Sequence, residues 1–267
     1  MRKLIISVSI AAAAMILTSC ASMYIPTGNN TPLLEEKHEA QIEVGTSNNS
    51  LYLMTAFALT DKWAIMANGT LSYYNFTNRY SIIPDKHDGN WLFDSDDYYA
   101  HQYYELGVGR FNLTKLKRLK LEVFGGGGYG YASDSHFKET PMHDNKYFLI
   151  FVQGNIAYKH LFTKDRTFEI GASYRFAYSR FTESFYFENE ELNKSTNWNN
   201  IHFEPVLFVK GGTESVRVIF KVGASLKPVS PFFHDGAFVF DGPSSTFFHT
   251  SIGLNIKIGG NKQKAER

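Results

Sequence analysis

The chain reads as an all-β protein, an antiparallel transmembrane β-barrel of about ten strands. Three observations lead there. The first is a period of two, clearest over residues 167–181. Phe168, Ile170, Ala172, Tyr174, Phe176 and Tyr178 alternate with Glu169, Gly171, Ser173, Arg175, Ala177 and Ser179. Successive side chains of a strand point to opposite faces, so one face is apolar and aromatic and the other small, polar and charged. The second is that this pattern recurs along the chain, with short turns and long polar loops alternating between the segments, as in bacterial outer-membrane barrels. The third is an N-terminal stretch with the layout of an export signal.

That stretch comes first in the chain. Arg2 and Lys3 supply the positive start and Leu4 to Leu17 an apolar run, shorter than the ~20 residues a helix needs to cross a bilayer. It ends Leu17-Thr18-Ser19-Cys20, which resembles the lipobox of bacterial lipoproteins. The resemblance implies that residues 1–19 are a signal peptide and that Cys20 carries a covalent diacylglyceryl group, the one cofactor-like attachment expected. An ordinary secretory peptide with a coincidental cysteine is the alternative. Cys20 is the single cysteine of the chain, so it has no intrachain disulfide partner.

Residues 20–38 read as a lipid-anchored linker, rich in Pro, Asn and Thr and without periodicity. Tyr24-Ile25-Pro26, Asn30-Thr31-Pro32-Leu33-Leu34 and Glu36-Lys37-His38-Glu39 resemble the opening of small outer-membrane β-barrel lipoproteins of the Bacteroidota type, which usually have Gly where this chain has His38. The resemblance implies a barrel of uncharacterised function and brings no catalytic residues with it.

Residues 39–260 hold the barrel, and 261–267 form a polar tail. Strands are expected over 39–46, 51–60, 63–74, 100–111, 119–132, 146–161, 167–181, 200–210, 216–227 and 246–258. The links at 60–62, 112–118, 162–166 and 211–215 are short, while those at 75–99, 133–145, 182–199 and 228–245 are long. Only 46–50 is short where a long loop is expected. An even strand count puts both termini at the short-turn, periplasmic end. Pro205 cannot donate to a ladder and suggests a bulge in its strand.

Alternation does not say which face is inside, and a lipid-anchored, lipocalin-like barrel would turn its apolar face inward. Aromatics near the ends of apolar faces, such as Trp63 with Tyr73 and Phe148 with Tyr158, favour lipid outside. The polar face then lines the lumen. It carries Glu43, Glu105, Glu122, Glu169 and Glu204 with Lys120, Lys159, Arg175, Arg217, Lys221 and Lys257. The two signs can neutralise one another, with Glu169–Lys159 and Glu204–Lys221 the expected neighbours and Arg175 near mid-depth, free to reach across. A barrel of about ten strands is narrow enough for side chains to fill.

Catalytic and metal signals are weak. The glycine run 125–130 satisfies GxGxxG, but no helical pattern follows to meet a pyrophosphate; it reads as a strand that lets bulky lumen residues approach. Asp94, Asp96 and Asp97 could bind Ca²⁺ or bridge lipopolysaccharide phosphates through it, but the Gly and terminal Glu of an EF-hand are missing, and a solvated acidic loop is the favoured reading. Omptins, ten-stranded outer-membrane proteases, carry Asp-x-Asp and Asp-x-His pairs. Asp94 and Asp96 have the first spacing, while His143-Asp144 and His234-Asp235 are adjacent and lack the second. A hydrolase would need a Ser–His pair in space.

A formal net charge of +1 gives no field for nucleic acid. The expected protein is a non-enzymatic outer-membrane lipoprotein barrel, anchored in lipid with periplasmic termini. Its role is structural or binding, through long loops or as subunit of an envelope complex, with lipopolysaccharide a possible partner. A narrow porin-like channel is the alternative, and an outer-membrane hydrolase the third.

Overall fold

The computed structural model describes residues 28–47, 50–75, 98–116, 118–135, 143–163, 166–188, 191–195, 198–226, 232–234, 237–239 and 247–259. Its strands are β1 (Ala40–Ser47), β2 (Ser50–Ala58), β3 (Trp63–Asn75), β4 (Tyr98–Arg110), β5 (Leu119–Ser135), β6 (His143–Leu161), β7 (Arg166–Glu188), β8 (Glu191–Ser195), β9 (Trp198–Thr213), β10 (Val216–Ser225), β11 (Phe232–His234), β12 (Ala237–Val239) and β13 (Phe247–Ile258). Ten of them, β1–β7, β9, β10 and β13, close into an antiparallel barrel. Chain neighbours pair all the way round, and β1 pairs with β13 from Ala40↔Ile258 to Ser47↔Ser251 to join the two ends of the chain. Strand β8 folds back on the upper part of β7, and β11 with β12 forms a small separate ribbon. The 182–199 connection is therefore partly an extended β-hairpin.

Alternation decides the two surfaces. In β2, Tyr52, Met54, Ala56 and Ala58 are buried while Leu51, Leu53 and Phe57 face out. The outward residues form an apolar skin: Leu106 is 70% exposed and Leu207 65%, with Val108, Ile150, Val152, Phe176 and Leu254 alongside. Trp63, Phe148 and Tyr158 belong to this outer surface. A lipocalin-type arrangement, with the apolar face inward, is not what forms.

Pro205 does not make a bulge. Strands β9 and β10 are laddered from Arg217↔Gly212 to Gly223↔Val206 and meet again at the Phe203↔Leu226 bridge in the same register. Phe203 and Leu226 exchange both backbone hydrogen bonds. Pro205, two residues along, lies on the same edge without an N–H to give, so the ladder skips a rung there. The one register shift on the β6–β7 pair lies at Lys146/Tyr147.

The glycine run in β5 thins the wall. A Cβ at Gly126 would lie 2.8 Å from Phe151 Cζ, one at Gly128 2.7 Å from the Tyr103 hydroxyl, and one at Gly130 would overlap the Tyr147 ring. Three lumen aromatics thus rest on bare backbone.

Residues 28–34, part of the stretch expected to be a linker, lie inside the barrel. Asn29, Asn30, Thr31, Leu33 and Leu34 are buried, as a solvated linker would not be. The physical reason is that the lumen offers polar partners for a backbone that makes no ladder of its own.

Candidate functional site: an occupied, charged lumen

Each lumen group arrives by strand parity. Glu43 and Gln41 come from β1, Glu105 from β4, Glu122 from β5, Gln153, Asn155 and Lys159 from β6, Glu169, Ser173 and Arg175 from β7, Glu204 from β9, Arg217 and Lys221 from β10 and Asn255 from β13; all are buried. Lys120 and Lys257 sit at the short-turn mouth, with side chains 15% and 16% exposed. Lys210, Glu39 and Glu35 join them. Lys210 shares the parity of Glu204 and Glu39 that of Glu43, so the same alternation marks both as inward. Glu35 lies outside any strand and carried no such signal.

The pairing differs from the expected one. Lys159 and Glu169 are backbone partners across β6 and β7, yet their charges go elsewhere. Arg217 gives Nη1 to Glu169 Oε1 at 2.9 Å and Nη2 to Gln41 and Asn255. Lys221 meets Glu43 at 2.6 Å, not Glu204. A closed wall brings β1 beside β13, one strand away from β10, whereas hairpin reasoning counts only chain neighbours. Arg175 reaches across from β7 to β4, placing Nη1 and Nη2 3.0 and 2.9 Å from the two oxygens of Glu105. Gln153 Oε1 accepts from Arg175 Nε and Nη2, and Glu204 Oε2 lies 4.0 Å from Nε. Glu105 also accepts from the Tyr103 hydroxyl at 2.6 Å and from Asn68 Nδ2.

Several of these groups hold the N-terminal segment by its backbone. Glu122 accepts from two successive amides, Leu33 N at 3.1 Å and Leu34 N at 2.6 Å. Leu33 has φ 58°, a left-handed conformation that costs a side-chain-bearing residue free energy and here turns both N–H groups toward one carboxylate. Gln153 and Asn155 donate to Asn30 O at 2.5 and 3.1 Å, Lys210 to Thr31 O and Lys221 to Asn29 O at 2.9 Å. The Asn29 side chain donates to Ser173 Oγ and Glu204 O, that of Asn30 to Asn68 Oδ1 and Thr55 O. Leu34 packs in the cluster of Met66, Tyr103, Phe124, Tyr147 and Phe151, and Leu33 against Ala157 and Phe208.

At the short-turn mouth Glu35 closes the arrangement. Lys120 and Lys159 each lie 2.9 Å from Oε1, and Lys257 lies 3.3 Å from Oε2. Burial alone would raise the Glu35 carboxyl, but Lys257, Lys159 and Lys120, with the hydrogen bond from Lys159, hold it well below the usual carboxylate range. Glu39 Oε2 accepts from the amides of Glu35 and Glu36 and lies 3.2 Å from Lys257. His38, at φ 62°, adopts the left-handed state in which Gly is the usual residue.

One Ser–His contact exists that no spacing in the sequence announces: Ser179 Oγ and His202 Nε2 are 2.9 Å apart. Both residues are buried on adjacent lumen walls, where the contact satisfies two polar groups. Among the described residues, no three His, Cys, Asp or Glu side chains gather to hold a metal. Cys20, Asp94, Asp96 and Asp97 lie outside the described residues, as do the signal peptide, residues 20–27 of the linker and the tail 261–267.

No family model matches the chain, and no curated protein does. Among solved structures it is similar to the outer membrane protease OmpT from Escherichia coli, at 11% identity and a TM-score of 0.45, over 82% of this chain and 96% of that one. It is also similar to a major outer membrane protein from Thermus thermophilus, at 10% identity and a TM-score of 0.34, over 82% and 98%. Such values say nothing about activity.

Proposed function

We propose that this chain is an outer-membrane β-barrel protein sealed by its own N-terminal segment, with a structural or binding role carried by the long loops or by membership of an envelope complex. The observation that carries this is the occupied lumen: Asn29 to Leu34 are gripped by Glu122, Gln153, Asn155, Lys210 and Lys221, where a channel would need open water. The apolar outer skin supports contact with lipid, since soluble monomers rarely expose contiguous apolar patches beyond a few hundred Å². Acylation of Cys20 belongs to the same proposal and would add a lipid anchor to the barrel. Lipopolysaccharide phosphates or an envelope protein are the partners proposed for the loops.

Single-channel recording of the purified protein in planar bilayers tests the sealed lumen. The expected trace is silent. Stable, nanosiemens-scale openings of the wild type would reject the sealed scaffold in favour of the narrow channel.

A further inference from the structure

The lumen segment has a direction. Followed back from β1, its partners lie progressively farther from the short-turn ends of their strands. Glu35 meets Lys120 and Lys257, each one residue inside its strand. Leu33 and Leu34 meet Glu122, three residues in, and Asn29 meets Ser173, seven residues in. A Cβ at Gly28 would lie 3.8 Å from Ser251 Oγ, from His249 Nε2 and from Lys221 Cδ. Ser251 is the backbone partner of Ser47, the last residue of β1. Gly28 is itself buried, level with the end of β1 and four residues below the long-loop end of β13.

We infer that residues 28–39 are a thread running through the barrel, which delivers the chain ahead of Gly28 toward the long-loop mouth. The inference rests on the proposed membrane barrel and adds the side on which the N-terminus emerges. Two features oppose a return to the short-turn mouth. Arg175 crosses the lumen to Glu105, and Arg217 ties β10 to β7, β1 and β13, so a second pass of chain would have to displace buried charge pairs. The thread's own backbone groups already take up Lys210, Lys221, Gln153 and Asn155, and a returning strand would need partners of its own. The expected anchor geometry therefore changes: an acyl group on Cys20, eight residues ahead of Gly28, would start from the long-loop side instead of the periplasmic one.

The test is cysteine accessibility to a membrane-impermeant maleimide on intact and permeabilised cells expressing the full chain. Ser81→Cys reports the first long loop, Ser215→Cys the β9–β10 turn, Thr27→Cys the thread exit, and the wild type gives the background from Cys20. The expected result is that Thr27→Cys is labelled on intact cells to the same extent as Ser81→Cys, while Ser215→Cys is labelled only after permeabilisation. Labelling of Thr27→Cys only after permeabilisation, with Ser81→Cys labelled on intact cells, overturns the thread and leaves the membrane barrel standing. If Ser81→Cys and Ser215→Cys behave alike, the proposed barrel orientation itself fails. Should Thr27→Cys be shielded under both conditions, a protease site inserted between Thr27 and Gly28 decides: cleavage on intact cells upholds the thread, and cleavage confined to permeabilised cells, or none at all, overturns it.

Discussion

Replacing Glu105 by Ala removes the carboxylate on which four donors converge. Arg175 holds it with both terminal nitrogens, and Tyr103 and Asn68 complete its shell. The Arg175 side chain is fully buried, its guanidinium 4.5 Å from the Phe151 ring centre. After the change Gln153 Oε1 remains a partner, and the closest carboxylate is Glu204 at 4.0 Å. Breaking a buried pair by removing one partner costs ~3–5 kcal/mol, because a buried charge is left poorly compensated. That is roughly a hundredfold to several thousandfold in the folding equilibrium. The assay is urea unfolding of lipid- or detergent-reconstituted protein, followed by gel mobility and tryptophan fluorescence. A cycle with Arg175→Met isolates the pair: the double variant should lose less than the sum of the singles, with coupling toward the upper part of the ~0.5–3 kcal/mol range. A Glu105→Ala loss of only ~0–1 kcal/mol, the value for a solvated pair, or strict additivity in the cycle, would refute a dry, tightly paired lumen.

Glu169→Ala should cost a similar ~3–5 kcal/mol, since Glu169 is 2.9 Å from buried Arg217. Glu204→Ala should cost less, because Arg175 keeps its two-point hold on Glu105; equal losses in melting of gel mobility would contradict this ranking. Glu35 sets a pH dependence. Its carboxyl is held below its ordinary value of 4.5 in the fold, so its contribution is complete above about pH 4.5 and lost as pH falls toward the folded value. Protection of the Leu33 and Leu34 amides, corrected for intrinsic exchange at each pH, should fall over that acid range in the wild type and lose much of its pH dependence in Glu35→Gln. An unchanged profile in that variant would remove Glu35 as the clamp. Cys20→Ala should abolish labelling by a fatty-acid probe, and continued labelling would dismiss the lipobox assignment.

Strand positions were legible because the signal is local. Phe168 to Ser179 alternate whatever lies around them, and the register of β7 follows that alternation to both neighbours. The inward charges were legible for the same reason. Which charge meets which was not, because Lys221–Glu43 depends on the β1–β13 seam, a contact between the ends of the chain. The thread was the least legible feature. Asn29, Asn30 and Thr31 repeat no period, and they are held through main-chain carbonyls and short amide side chains. A backbone carbonyl looks the same in every sequence, so its partner is visible only once the barrel is closed. Pro205 was read correctly as a missing donor and wrongly as a bulge; a single lost rung does not require an extra residue.

The β1–β13 seam also constrains the order in which the molecule can be put together. Glu122, Gln153, Asn155, Ser173, Lys210 and Lys221, which hold most of residues 29–34, come from β5, β6, β7, β9 and β10. These five strands adjoin in the sheet without the seam, so an open, curling sheet can already hold the N-terminal residues along its concave side. Once β1 and β13 have zipped from Ala40↔Ile258 to Ser47↔Ser251, the free end could enter only by being drawn lengthwise through a lumen already crossed by charge pairs. The sheet is therefore expected to wrap around its own leading residues, which serve as the mandrel on which the cylinder is rolled.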